Sequence, residues 1–119
     1  MSQSTTLILL PQTTYVNPGN AAPYTVVGNA QPAAAYYLGN RDLQTVNLSV
    51  SNILGNVVIQ ATLANPATVD NQWFDVYEFN GSENPNANVY TNVTGNFVYM
   101  RAKVVDFQQG LVNYVKLSY

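Results

Sequence analysis

The sequence predicts an all-β protein, an antiparallel two-sheet β-sandwich of jelly-roll or immunoglobulin-like type with little or no helix. Three observations lead there. Apolar residues recur at every second position over long stretches, no stretch of helical length carries a helical apolar period, and Gly, Pro and Asn clusters interrupt the chain throughout. Side chains of a strand alternate between faces, so alternation of this kind marks half-buried strands. The interruptions fall roughly every 8–15 residues, the rhythm of a sandwich or barrel.

The elements follow in chain order. Strands are expected over 5–10, 12–16, 24–28, 34–39, 43–51, 56–63, 72–79, 88–93, 96–106 and 111–119. Leu7, Ile8, Leu9 and Leu10 are consecutive apolar residues, so both faces of the first strand must be covered, by a sheet edge or by a partner. In 43–51, Val46, Leu48 and Val50 face one way and Asn47 and Ser49 the other; in 56–63, Val57, Ile59, Ala61 and Leu63 share a face. For 72–79 two faces compete, and Phe74 and Val76 are preferred toward the core because the other row would bury Asp75. In 96–106, Val98, Met100, Ala102 and Val104 form the inner row, with Phe97, Tyr99, Arg101, Lys103 and Val105 outside. Val115 and Leu117 complete the expected core from the last strand.

Turn chemistry sets the breaks. Asn17-Pro-Gly-Asn20, Gly28 to Pro32, Gly39 to Asp42, Asn65-Pro66, Asn80-Gly-Ser82, Asn84-Pro-Asn86 and Gly95-Asn96 combine residues that tolerate positive φ with residues that fix φ. Ile53-Leu-Gly-Asn56 and Phe107-Gln-Gln-Gly110 are expected to close two hairpins, 43–51 with 56–63 and 96–106 with 111–119. Residues 1–119 read as a single sandwich domain, with 1–40 looser, richer in Pro and Ala, and supplying an arm or edge strands.

Composition narrows the function. The 119 residues include no Cys and no His, and only 8% are charged, while Tyr numbers nine. Without His, the usual group titrating near neutral pH is missing, and the few charges are scattered singly. Zinc and copper lose their preferred ligands, and no run of acids has the spacing of a calcium loop. No catalytic residue, cofactor or metal site is expected. Asp75 and Glu78, on opposite faces of a regular strand, would not converge as a hydrolytic pair. A net charge of −2 and a lone close basic pair, Arg101 and Lys103, argue against nucleic acid. The N-terminal apolar run is too short for a signal peptide or a membrane span, so no membrane association is expected. Asn47-Leu-Ser, Asn80-Gly-Ser and Asn92-Val-Thr match the glycosylation pattern by chance in an Asn-rich chain.

A neutral surface rich in amides and Tyr suits lasting contact with neighbours, because charge is depleted and Tyr enriched in interface cores. The candidate interface residues are Leu7, Ile8, Leu9, Tyr36, Tyr37, Phe97 and Tyr99. Tyr15, Tyr24, Tyr36, Tyr37, Trp73, Phe97 and Tyr99 could instead offer stacking faces to a glycan.

Gly55-Asn-Val-Val-Ile-Gln-Ala-Thr-Leu-Ala64, Trp73-Phe-Asp75, Val93-Thr-Gly-Asn-Phe-Val-Tyr-Met-Arg-Ala-Lys-Val104 and the stretch from Gly110 to Tyr119 carry a further signal. Together they resemble small virion structural proteins of tailed bacteriophages, especially cyanophages with contractile tails. The resemblance spans 43–119 and is a pattern of sheet packing. It implies a non-enzymatic virion protein assembled in the host cytoplasm. Its partners would be other virion proteins, the major capsid protein or tail components, with self-association as a further mode. Decoration of the capsid surface is preferred, since a short chain without coiled coil or collagen-like stalk is unlike a complete fibre. The alternative is a tail, baseplate or host-attachment module that binds carbohydrate.

Overall fold

The computed structural model describes residues 6–15, 24–33, 43–63, 73–81 and 83–119. These residues contain strands and turns and no helix. The strands are β1 (Thr6–Leu10), β2 (Thr13–Thr14), β3 (Tyr24–Val27), β4 (Gln31–Pro32), β5 (Leu43–Thr62), β6 (Phe74–Asn80), β7 (Ala87–Thr94) and β8 (Tyr99–Ser118). All pairings are antiparallel.

Two strands of 20 residues, β5 and β8, run side by side along the whole molecule. The outer side of β8 carries β1, β2, β3 and β4 in succession, and the outer side of β5 carries β7 and β6. The two expected hairpins are therefore absent. Segments 43–51 and 56–62 belong to one continuous strand, and so do 99–106 and 111–118; Leu63, expected on the face of Val57 and Ile59, follows β5 and is exposed. The turn residues are present but bend the chain instead of reversing it. Asn52 (φ 58°) and Gly55 (φ 139°) interrupt β5, and Asp106 (φ 56°) and Gly110 (φ 85°) interrupt β8. Register slips at the same place: Ser51 pairs with Leu111, Leu54 with Gln109 and Asn56 with Val105. Extra residues on either strand at matched positions are bulges, and bulges sharpen the local bend.

The bend folds one sheet into two layers. The first holds β1, β2, β7 and the segments 43–51 and 111–118; the second holds β3, β4, β6 and the segments 56–62 and 99–105. The layers meet along the β8 side. Asn29 N–H donates to the Leu9 carbonyl (3.1 Å), Gln31 Nε2 donates to that of Ile8 (3.2 Å), and the Tyr119 hydroxyl donates to that of Pro32 (2.8 Å). A Cβ on Gly28 would lie 2.2 Å from the Leu9 carbonyl oxygen, so this close approach needs glycine.

One apolar core lies between the layers. Val46, Leu48, Val50, Val112, Val115 and Leu117 enter from the first layer, and Val57, Ile59, Ala61, Met100, Ala102 and Val104 from the second. Ile53 and Phe107 plug the bend, both fully buried. Val98, expected in the core, is only half-buried. It precedes β8 at the open end of the sandwich, where its backbone still accepts from Ala33 N–H and donates to the Thr62 carbonyl. The segment 34–39 lies outside the described residues; Gln31–Pro32 forms β4 just before it. Pro32 is tolerated because β4 is an outer strand.

β6 resolves the competing faces by using both. A register slip between Ile59 and Gln60 places Tyr77 opposite Ile59 and Asp75 opposite Gln60, with Val76 as the extra residue. Phe79 is buried, Val76 and Tyr77 pack against the core, and Asp75 stays outside, but Phe74, expected inside, aligns with Ala61 and remains 41% exposed.

Two measurements check this frame. Ile59→Ala should lower unfolding free energy by about 2–5 kcal/mol in denaturant titration, the cost of truncating a sealed core residue. Gly110→Ala should cost about 1–3 kcal/mol in backbone strain, and its Cβ, 2.2 Å from the Asn52 carbonyl oxygen, would have to displace the neighbouring strand.

Candidate functional site

The two layers present outer faces of different chemistry. On the second layer, two rows cross three strands: Asp75, Gln60 and Arg101, then Glu78, Val58 and Lys103. Two anions on β6 thus stand across β5 from two cations on β8. Gln60 is 6% exposed and joins its row: its Nε2 donates to Asp75 Oδ1 (2.9 Å), and its Oε1 accepts from Arg101 Nε (2.9 Å). A buried amide is stable when both ends are bonded, and this one is. The Arg101 guanidinium also lies 4.4 Å from the centre of the Trp73 ring, a cation–π contact of about 0.5–2 kcal/mol. Asp75 and Glu78, expected on opposite faces, share this one because of the Val76 bulge.

The outer face of the first layer is almost free of charge. Its rows are Thr6, Ser118, Thr45 and Asn92; Ile8, Lys116, Asn47 and Tyr90; and Tyr114, Ser49 and Asn88. Lys116 is the single ion among them. The short polar side chains bind one another: Thr6 Oγ1 with Ser118 Oγ (3.0 Å), Thr45 Oγ1 to Asn92 Oδ1 (2.8 Å) and Asn47 Nδ2 to Asn88 Oδ1 (2.8 Å). Asn113 Nδ2 reaches both Ser49 and Ser51 Oγ (3.1 Å each). Lys116 Nζ caps the Tyr114 ring at 4.4 Å. Tyr90 stands out of this carpet, 70% exposed.

The sequence-predicted interface residues separate. Leu9 is fully buried in the chain's own core and Leu7 packs against it. A register slip between Ile8 and Leu10 turns both Leu9 and Leu10 inward, leaving Ile8, 40% exposed, as the outward member of the apolar run. The Phe97 ring folds over Gly95 and meets Phe74 edge-on (5.8 Å). Tyr99 is half-buried opposite Thr62 and Pro32. Tyr15 packs edge-on against Phe107 (5.6 Å). Tyr36 and Tyr37 lie outside the described residues, as does the side chain of Tyr24. Sequence reasoning missed Tyr90, although the alternation Asn88, Tyr90, Asn92, Thr94 marks an outward polar row. Among the described residues no group of three or more acids could hold a metal ion.

No protein family and no curated protein matches the sequence. Solved structures do match. The chain resembles the SPBc2 prophage-derived protein YomS, with a TM-score of 0.59 and 17% identity over 98% of this chain and 91% of that one. It also resembles CBM29_1, a family 29 carbohydrate-binding module from Piromyces equi, with a TM-score of 0.50 and 12% identity over 98% and 91% of the two chains. At these identities the likeness is one of fold.

The Gln60 row can be checked through the chain's lone tryptophan. Arg101→Ala should change the Trp73 fluorescence maximum and intensity, since the cation leaves the ring. Gln60→Ala should destabilise by about 0.5–1.5 kcal/mol for each of the two hydrogen bonds it removes, with the same fluorescence readout.

Proposed function

We propose that this chain is a non-catalytic structural protein of a phage-like particle, held to its neighbours by neutral polar and aromatic contacts. The observation that carries this reading is the outer face of the first layer. Four strands there display hydroxyls, amides and an exposed Tyr around one lysine. Such a face has little charge to keep it apart from other surfaces, and it offers the residue types that interfaces favour. The fold likeness to a prophage-derived protein supports the phage context, and the resemblance of 43–119 to virion proteins of tailed phages points the same way. Capsid-surface decoration is the preferred position, with other virion proteins as partners; tail or baseplate is the alternative. The chain would act as an assembled component of the virion.

A second reading rests on Tyr90. An exposed ring flanked by Asn47, Asn88 and Asn92 can stack on the apolar face of a sugar while the amides bond its hydroxyls. The fold likeness to a carbohydrate-binding module favours it. A glycan-binding chain on the same particle would serve host attachment.

Purified particles washed in raised salt and analysed by mass spectrometry test the first reading. The protein should stay with the particle, because contacts poor in charge lose little to screening. Its absence from particles, or full release by modest salt, would count against the proposal. Calorimetric titration with neutral oligosaccharides tests the second reading. Binding that disappears in Tyr90→Ala would support it.

A further inference from the structure

We propose that β7 is the docking edge for β7 of a second copy, the two strands pairing antiparallel about a two-fold axis through Tyr90. This deepens the assembly reading and rests on it for its biological setting, while the geometry comes from the sheet itself.

An unpaired strand edge exposes a row of N–H and C=O groups, and proteins usually block it with charge, proline, a bulge or a covering segment. The edges of this sheet differ in such blocks. On the β8 side, the Ile8 and Leu9 carbonyls of β1 are taken by Gln31 Nε2 and Asn29 N–H. On the β5 side, β6 carries Asp75 and Glu78 and is bulged at Val76. Among the described residues, none of these devices blocks β7. Its eight residues, Ala87 to Thr94, include no charge and no proline, and they pair with β5 residue by residue without a slip. Its outward row is Asn88, Tyr90, Asn92 and Thr94, all exposed.

The same sequence is complementary to itself. Antiparallel pairing must oppose outward residues to outward ones, since a slip by one residue would join the polar face of one copy to the core face of the other. A two-fold axis at Tyr90 meets this condition. It sets Tyr90 against Tyr90 of the second copy, Asn88 against Asn92, Val89 against Thr91 and Ala87 against Val93. Aromatic and amide pairs then face each other on the outside, and the β-branched Val89 and Thr91 and the apolar Ala87 and Val93 face each other on the inside, pairings that suit antiparallel strands. No ion on the strand opposes the approach. The first layer would continue into a second molecule as one sheet.

The test uses the free protein, so its outcome is independent of whether particles carry the chain. Sedimentation across a concentration series should show a monomer–dimer equilibrium for the native sequence. Tyr90→Lys, which brings two ammonium groups together on the axis, should sediment as a monomer with an unchanged circular dichroism spectrum and melting curve; Asn92→Lys serves if that variant fails to fold. Directly opposed residues have Cα atoms about 4.5–5.5 Å apart, within the range of roughly 4.4–6.8 Å that a disulfide spans. In this cysteine-free chain, Tyr90→Cys should therefore oxidise to a covalent dimer, and Thr45→Cys, one strand in from the edge, should not. A native chain that is monomeric at its highest soluble concentration, or a dimer that survives Tyr90→Lys, would overturn the proposal.

Discussion

The whole architecture depends on the coordinated bend of β5 and β8. Two 20-residue strands would otherwise make a long, flat ribbon with an apolar face open to water. Each strand contributes one non-glycine residue with positive φ and one glycine. The two glycines face the partner strand's backbone reciprocally: a Cβ on Gly55 would meet the carbonyls of Val105 and Asp106, and a Cβ on Gly110 that of Asn52. Neither strand can bend alone, because fifteen register pairs tie them together. Once both bend, Ile59 and Met100 come to share a core with Leu48 and Leu117, and the hydrophobic gain of burial holds the layers closed.

Bending also sorts the surface. The core takes one row from each half of each long strand, so the opposite rows become two separate outer faces. Charges gather on the second layer, where Gln60 bridges Asp75 to Arg101 and Trp73 lies against the guanidinium. Four of the chain's few ions are placed there in opposed pairs. The first layer is left with amides and hydroxyls that bind one another across strands. This division gives one nearly uncharged face to a chain whose overall composition only announces sparse charge.

Much of the frame was legible because period-two alternation survives any topology. Val46, Leu48, Val57, Ile59, Met100, Val104, Val115 and Leu117 are buried as alternation requires. What alternation cannot reveal is whether a Gly-Asn cluster reverses a strand or merely bends it. Both outcomes need positive φ, and the difference lies in pairing partners far away in sequence. That is why 43–51 and 56–63 read as a hairpin. The bulges at Val76 and between Ile8 and Leu10 were hidden for a related reason: a one-residue slip shifts the inward row without leaving a mark in composition. They put Asp75 and Glu78 on one face and turned Leu9 and Leu10 inward together. Tyr90 was visible in sequence as an outward residue, but its prominence depends on β7 lying at an edge, which is a fact of topology.

The position of that edge connects fold to role. A sandwich folded from one sheet closes more readily on the side where its outer strands are short and joined by loops that can cross between layers. Here that side is β8, where Asn29 and Gln31 reach from the second layer to β1 in the first. The β5 side carries longer strands, β6 and β7, joined by the turn around Asn84 to Asn86 that anchors to the bend through the Pro85 carbonyl and Asn86 Oδ1. Among the described residues, no strand pairing joins the two layers on this side. β6 carries acids and a bulge there, while β7 keeps an uninterrupted, uncharged row beside the neutral face. A protein selected to remain monomeric has reason to protect both strands alike. Among the described residues one edge is blocked and the other is not, an asymmetry that the proposed pairing of β7 with a second copy would use.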